Sequence, residues 1–205
     1  MRRVAAGCCL AFLLAGCGSS PPAPADHFYR LVLPEQVQYH GVPGAEVITV
    51  GAFLAEGLYN ERALLSSMDN PSRELEQSYY HFWITSPPGL LRDYLVRLLR
   101  QAGVSPLVLT GAGPGKGLRI AGRVLAFERQ AAGDQASAHV ALELRVDGPG
   151  DDLPLLLREY HASRPVLGPA MTDVVAAFNA AVDGIYGDFL RDLGELLRQT
   201  AEREG

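Results

Sequence analysis

The sequence predicts an α+β fold of the two-layer α/β kind, in which a mixed β-sheet carries two main helices packed on one face. Eight short segments alternate apolar and polar residues or run apolar throughout, as strands do. Two longer segments repeat apolar residues every three to four positions, as amphipathic helices do. Their order is four strands, a helix, four more strands and a final helix, which predicts one domain.

Four strand segments open the predicted domain. They span residues 28–33, 46–53, 58–68 and 74–85. Pro34 ends the first strand, and the triplet at 69–71, Asp-Asn-Pro, predicts a turn between the last two. The fourth strand contains the aromatic run 79–83, Tyr-Tyr-His-Phe-Trp, which suits a pleated surface. Since alternate residues of a strand point to opposite faces, we expect at least half of this run in the core. The alternative is that the aromatic run binds lipid or a partner.

The first helix is predicted to begin after Ser86, whose hydroxyl would cap a first turn that opens with two prolines. Asp93 and Arg97 are expected to pair on its polar side, and Gly103 is expected to end it. Its apolar stripe repeats at helical spacing and consists of Leu90, Leu91, Tyr94, Leu95, Leu98 and Leu99.

Four more strands and the last helix complete the prediction. The strands span residues 106–109, 118–126, 139–146 and 155–163. In the second of them, Leu118 to Ala126 are expected to place alternate residues on one face. Thr172 is predicted to cap the last helix. Its apolar stripe consists of Val174, Val175, Phe178, Val182, Ile185, Tyr186, Phe189, Leu190, Leu193 and Leu197.

Composition narrows the class of protein. The chain has 205 residues, 48% of them hydrophobic and 20% charged, with a formal net charge of −5. A core of ordinary size is available at this length. An acidic chain lacks the basic surface of a general nucleic-acid binder, so we expect no nucleic-acid partner. The three cysteines, Cys8, Cys9 and Cys17, lie at the very start and provide no disulfide framework.

The first residues of the chain have the pattern of a signal peptide. Two arginines follow Met1, and an apolar run of 11 residues extends over 4–14. A membrane-spanning helix needs about 20 apolar residues, whereas the apolar centre of a signal peptide has about 7–15. Residues 18–26, Gly-Ser-Ser-Pro-Pro-Ala-Pro-Ala-Asp, follow without core-forming side chains and predict an extended tether.

No residue pattern predicts a catalytic residue, a metal ligand or a cofactor site. The glycine-rich residues 111–117 are not a phosphate-binding loop, because Thr110 and Gly117 stand where that motif requires glycine and then serine or threonine. No G-x-S-x-G motif is present. The histidines have neither HxH nor HxxxH spacing and are His27, His40, His81, His139 and His161.

Residues 14–17, Leu-Ala-Gly-Cys, resemble the lipobox of bacterial lipoproteins. The resemblance implies cleavage before Cys17 and lipid on both its sulfur and its new amino group. It divides the chain into a lipoprotein signal peptide (1–16), a lipidated N-terminus with a flexible tether (17–26) and the domain (27–205). Cys17 would then be the lipid-attachment site, and its acyl chains would anchor the protein in a membrane. Gly18 stands where an aspartate would retain the protein in the inner membrane, which favours the outer membrane.

Residues 62–103 resemble the ABC-type transport auxiliary lipoproteins, the group that contains paraquat-inducible protein C. The shared features are an arginine that opens a strand, an aromatic strand ending at Trp83, two prolines and a leucine-rich helix. Residues 118–128 and the helix near Thr172 extend the similarity.

This resemblance implies a non-enzymatic protein on the periplasmic face of the outer membrane. Its partners would be an ABC permease and ATPase and a substrate-binding protein of the mammalian-cell-entry type. The system would move phospholipids or other hydrophobic molecules between the inner and outer membranes, with this protein as a docking piece or receptor. Assembly into a homo-oligomer is compatible with the resemblance.

Two other classes of protein stay open at this point. A lipid-binding or envelope-assembly lipoprotein would hold its ligand inside the fold and would need an apolar cavity between helices and sheet. A periplasmic hydrolase would need serine, histidine and acidic side chains, or metal ligands, gathered in one cleft.

Overall fold

Eight strands and two helices follow one another in the predicted order. The computed structural model describes residues 24–37, 39, 45–68, 74–111, 116–150 and 153–204. The strands are β1 (His27–Tyr29), β2 (Val47–Ala55), β3 (Ala63–Met68), β4 (Leu75–Trp83), β5 (Leu107–Thr110), β6 (Leu118–Ala132), β7 (Gln135–Asp147) and β8 (Leu156–Pro165). The helices are α1 (Pro87–Ala102) and α2 (Met171–Glu204). The predicted α+β class, a mixed sheet with two helices on one face, is confirmed. The turn predicted at 69–71 lies outside the described residues.

Several predicted strand boundaries are wrong. β6 continues to Ala132 instead of ending at residue 126, and β7 begins at Gln135 instead of residue 139. Two further differences have a visible cause. The first strand ends at Tyr29 instead of residue 33, because residues 30–37 leave the sheet and cross the helices. The third begins at Ala63, because the segment Gly57–Asn60 forms a 3₁₀ turn. Gly57 starts this turn with a φ of +54°, a left-handed conformation that interrupts an extended chain and that glycine adopts easily.

The sheet is organised around β6, the longest strand, with 15 residues. One edge of β6 pairs with β7 in antiparallel orientation along almost its whole length. The other edge pairs in parallel with β2 first and with β3 near its end. β5 lies beyond β2, β4 and β1 lie beyond β3, and β8 lies beyond β7. Two groups of strands, β2 with β5 and β3 with β4 and β1, therefore meet on one edge of one strand.

A β-bulge in β6 changes which residues face the core. Val124 pairs with Leu142 of β7, but Ala126 pairs with Ala141, so one residue is left over between them. The predicted alternation holds from Leu118 to Val124 and then shifts. As a result Phe127, which is 1% exposed, enters the core in place of the expected Ala126.

Large aromatic side chains fill the space between the sheet and the helices. Trp83 lies at the centre, with its ring centroid 5.2 Å from those of Phe127 and Phe178. The rings of Phe127 and Phe178 are 4.6 Å apart. Since Trp83 is on β4, Phe127 on β6 and Phe178 on α2, this cluster joins the two layers. The predicted stripes of α1 and α2 are buried except for Val175, which is half-buried.

The two helices contact each other through a pair of buried tyrosines. The rings of Tyr94 on α1 and Tyr186 on α2 stack with centroids 5.7 Å apart. The Tyr94 hydroxyl donates to the carboxylate of Asp183, and the Tyr186 hydroxyl donates to the carbonyl of Leu91 at 2.9 Å. Both hydroxyls therefore have partners, as buried polar groups require.

The helix ends confirm part of the prediction and correct the rest. Ser86 precedes α1 but makes no capping hydrogen bond, whereas Gly103 ends α1 with a φ of +65°, as predicted. Asp93 pairs with Arg92 at 2.7 Å instead of with Arg97. α2 begins before Thr172, and the N–H of Ala170 donates to the carboxylate of Asp173 at 3.0 Å. This acidic side chain replaces the expected threonine cap.

Residues 30–37 form a strap across the helices. Asn179 of α2 forms two hydrogen bonds with the backbone of Val32. Its amide oxygen accepts from the Val32 N–H at 2.8 Å, and its amide nitrogen donates to the Val32 carbonyl at 2.6 Å. The Gln101 side chain of α1 donates to the carbonyls of Pro34 and Glu35, each at 3.0 Å. One extended segment therefore links the two helices on the way from β1 to β2.

Stability is expected to fall as the pH rises above about 10. Burial raises the pKa of Tyr94, and its hydrogen bond to Asp183 acts in the same direction; burial also raises the pKa of Tyr186. Above the unfolded-state pKa, the unfolded chain loses protons that the folded chain keeps. Each such tyrosine should therefore lower the free energy of unfolding by about 1.4 kcal/mol per pH unit. Urea unfolding across this range measures the slope, and Y94F should reduce it by one tyrosine's share. An equal slope in Y94F would contradict the assignment.

Candidate functional site

The predicted lipid-attachment residue, Cys17, lies outside the described residues, as does the predicted signal peptide. The described chain starts at residue 24, and the last residues of the expected tether lead directly into β1. β1 lies at one end of the sheet and pairs only with β4 among the described strands. The tether therefore joins the domain at a sheet edge, beside the aromatic run of β4. Among the described helices, none is both long and apolar enough to cross a bilayer.

Exposed aromatic residues surround this entry point. Tyr79 is 85% exposed, Phe28 57% and Tyr80 42%. The rings of Phe28 and Phe82 stack with centroids 5.8 Å apart, and the Arg62 guanidinium lies 5.3 Å from the Phe28 centroid. We call Phe28, Tyr79, Tyr80 and Phe82 the aromatic surface.

The aromatic surface corrects an expectation from the sequence. At least half of the run 79–83 was expected in the core, but Trp83 is its one fully buried residue, at 1% exposure. The reason is the position of β4 in the sheet. β3 lies on one side of β4, and on the other side lies β1, a strand of three residues that pairs with residues 81–83. Large aromatic side chains that stay in solvent at a sheet edge are typical of a surface that binds another molecule.

The residues of β1 and β4 that alternate with Phe28 and Phe82 include two histidines. The rings of His27 and His81 stack with centroids 5.3 Å apart, and the Tyr29 hydroxyl lies 2.9 Å from Nδ1 of His81. Sequence spacing missed this pair because the two histidines meet through the β1–β4 register. Within the described part of the chain, no three histidine, cysteine or acidic side chains are grouped closely enough to hold a metal ion. His40 lies outside that part.

A second group of polar residues surrounds the carboxylate of Glu128, on the face of the sheet opposite the helices. Glu128 is 6% exposed and lines a cleft of about 470 Å³. It accepts hydrogen bonds from the hydroxyl of Tyr59, from Ser67 at 2.7 Å and from Gln130 at 3.3 Å. Burial raises the pKa of Tyr59, and the hydrogen bond and charge of Glu128 raise it further.

The Glu128 cleft does not have the geometry of a serine hydrolase. A catalytic serine donates to a histidine, which is oriented in turn by an acid. Here Ser67 donates directly to Glu128, and His139, although it lines the cleft, forms no described hydrogen bond with either residue. The carboxylate instead ties together the 3₁₀ turn, β3 and β6, which is a structural role.

The space that an internal ligand would need is occupied. The aromatic cluster around Trp83 lies between the sheet and the helices, and the Tyr94–Tyr186 pair joins the two helices. Each of these side chains is 1% exposed or less. The Glu128 cleft opens at the surface instead. This packing favours a protein that works through its surface over one that holds a ligand inside the fold.

The structural role of Glu128 can be tested by its removal. E128A leaves the hydroxyls of Tyr59 and Ser67 without their acceptor, so we expect a loss of about 1–3 kcal/mol in the free energy of unfolding. E143A, which removes a partly exposed carboxylate from the neighbouring strand β7, should change stability by less than about 0.5 kcal/mol. Urea unfolding measures both. A more stable E128A protein would instead mark Glu128 as a strained functional group.

Comparison with protein families assigns the chain to one family. Residues 66–188 match the ABC-type transport auxiliary lipoprotein component family, and this match covers more than half of the chain. The chain belongs to that family, which confirms the resemblance. It is therefore a transport-associated lipoprotein of the cell envelope, and its family is an auxiliary one and not a catalytic one.

Solved structures share the fold. Protein XCC0632 from Xanthomonas campestris, of family DUF330, has a TM-score of 0.68 at 19% identity, with 87% of this chain and 97% of that one covered. An uncharacterized protein has a TM-score of 0.57 at 12% identity, with 84% and 98% covered. At these identities the likeness concerns the fold alone.

One curated relative has a different activity. The ATP-dependent DNA helicase UvrD1 of Mycobacterium tuberculosis is 31% identical over 156 residues, which is 74% of this chain. The chain spans 20% of the helicase's length. That partial overlap does not transfer the activity of the whole helicase, and the sequence has no phosphate-binding loop motif.

Proposed function

We propose that this protein is a lipid-anchored, non-catalytic docking component of an ABC transport system of the mammalian-cell-entry type. The system would carry phospholipids or other hydrophobic molecules between the inner and outer membranes. The protein would sit on the periplasmic face of the outer membrane and bind the mammalian-cell-entry-type substrate-binding protein, which works with the permease and ATPase. The observation that carries this proposal is the aromatic surface beside the tether's entry point, in a chain of this transport family.

With a membrane anchor and a tether, weak contacts with the partner would be enough for docking. In this proposal residues 1–16 are removed, Cys17 carries the lipid and residues 17–26 reach from the membrane to the domain at 27–205. Residues 18–26 are nine residues, and at about 3.1 Å each an extended chain of this length spans about 28 Å. Confinement near the membrane raises the effective concentration of the docking surface, so the contact itself need not be strong.

The aromatic surface has the composition of a binding hot spot. Tyrosine and arginine are over-represented among residues that dominate binding energy, and Tyr79, Tyr80 and Arg62 supply both types. The neighbouring edge strand β1 offers unpaired backbone groups to which a partner's extended segment can add. Self-association of the chain would place several such surfaces on one assembly.

The anchor is tested by changing Cys17. C17A should abolish lipid attachment, leave the signal peptide uncleaved and remove the mass of the diacylglyceryl group in whole-protein mass spectrometry. Cys8 and Cys9 provide matched controls within the signal peptide, and C8A and C9A should be processed normally. Lipidated, fully processed C17A protein would exclude Cys17 as the attachment site.

Docking is tested on the aromatic surface. The double variant Y79S/Y80S should lose co-purification with the mammalian-cell-entry-type partner by about tenfold or more, because hot-spot side chains contribute about 2 kcal/mol or more. Its stability should change little, since both side chains are exposed.

The matched control is L167S, which removes an exposed apolar side chain in the loop before α2. Leu167 is 91% exposed and lies outside the aromatic surface. L167S should co-purify like the unchanged protein. Co-purification that is equal in Y79S/Y80S and L167S would exclude the aromatic surface, and no co-purification with folded unchanged protein would count against the partner.

A further inference from the structure

Four arginines line one cleft of this acidic protein. Arg30 comes from the start of the strap, and Arg92, Arg97 and Arg100 come from α1. The cleft has a volume of about 510 Å³, and Asp93 is the one acidic residue in its lining. It therefore carries four positive charges and one negative charge, whereas the whole chain has a formal net charge of −5. Arg92, Arg97 and Arg100 share one flank of the helix, within about 140° of its circumference.

Contacts within the protein hold these arginines in place. Arg100 donates from Nε and Nη2 to the carbonyl of Val108, at 3.3 and 2.8 Å. Arg97 donates from Nε to the carbonyl of Asp93 at 3.3 Å, and its guanidinium lies 5.7 Å from the Tyr94 ring centroid. Arg92 pairs with the Asp93 carboxylate at 2.7 Å.

Donor groups are left for a ligand. A guanidinium has five N–H donors, and the contacts of Arg92, Arg97 and Arg100 use one or two of them each. Arg30, which is exposed, uses none in any described contact. Side chains that are already ordered lose less conformational entropy when they bind, so this arrangement favours binding.

The cleft combines this charge with apolar side chains. Leu31 and Leu90 are buried in its lining, and Ile84 is 50% exposed. Planar guanidinium groups bind phosphate oxygens in a bidentate manner, and an apolar lining favours a ligand whose phosphate adjoins hydrocarbon. We propose that this cleft binds the phosphate group of a ligand, a chemistry that phospholipid headgroups share with free phosphate.

The choice between these two sources rests on the proposed function, whereas the phosphate site itself does not. In a phospholipid transport system the ligand would be a phospholipid headgroup with the first carbons of its acyl chains on Ile84. The strap places Arg30 four residues after the end of the tether. The cleft therefore lies on the part of the domain that the anchor holds near a membrane surface.

Isothermal titration calorimetry of the full-length protein in a non-ionic detergent tests this inference with two probes. The probes are inorganic phosphate and dihexanoyl phosphatidylglycerol below its micellar concentration. Both should bind to the unchanged protein, and higher salt should weaken both. The double variant R30Q/R97Q should weaken binding by about tenfold or more, because each lost partner was a charge-assisted donor. Titration of this variant also corrects for uptake of the lipid by detergent micelles.

The control is R191Q, which removes one positive charge from an exposed arginine of α2 that pairs with Asp188 at 2.7 Å. It should bind both probes like the unchanged protein. Tighter binding of the lipid than of phosphate assigns the phospholipid, and equal binding assigns free phosphate. Failure of both probes, or equal losses in R191Q and R30Q/R97Q, would overturn the site. R30Q/R97Q should still co-purify with the mammalian-cell-entry-type partner, so failure of the cleft and failure of docking are separate results.

Discussion

The architecture depends on β6, because β2 with β5, β3 with β4 and β1, and β7 with β8 all join the sheet through it. β2 and β3 share one edge of this strand, and the chain between them must leave the sheet and return. The buried carboxylate of Glu128 stabilises the junction: it binds Tyr59 in the connecting turn and Ser67 in β3. A charged group is retained in a buried position there because three donors compensate for its lost hydration. The β-bulge of β6 lies just before it and turns Phe127 into the core.

The helix layer follows from the sheet. Phe127, Trp83 and Phe178 stack across the two layers, so the register of β6 sets where α2 can pack. α1 then meets α2 through Tyr94 and Tyr186, with a hydrogen-bond partner for each hydroxyl. The strap closes the outside of both helices through Asn179 and Gln101. In each layer a few polar contacts therefore lie among the apolar ones, and they specify one arrangement of the helices on the sheet.

Local patterns predicted the elements well because their signals are local. Alternation along β7 and the leucine stripe of α1 depend only on which face is buried, and both are confirmed. The bulge in β6 was missed because an extra residue leaves no mark in the composition. The Asp93–Arg97 pair was wrong because Arg92 reaches the same carboxylate from next to it.

The surfaces were harder to predict than the core, because each depends on residues that are distant in the chain. The run 79–83 has the composition of a buried strand, and the shortness of β1 leaves Tyr79 and Tyr80 in solvent. Glu128 gains its partners from 61 and 69 residues away. The arginine cleft needs Arg30, which comes to α1 only through the strap. A helical-wheel projection of α1 would have shown the shared flank of its three arginines, but not the cleft.

The edges of the sheet show why docking is best placed at β1. Among the described strands, β1, β5 and β8 each pair on one side only. β8 carries exposed charged side chains and ends in proline, features that discourage pairing with another chain. On β5, the Arg100 side chain occupies the carbonyl of Val108. β1 has neither protection: it exposes Phe28 beside the aromatic residues of β4, and the expected tether leads into it. The one sheet edge that is open to a partner is therefore the edge that an anchor at the chain's start would hold closest to the membrane.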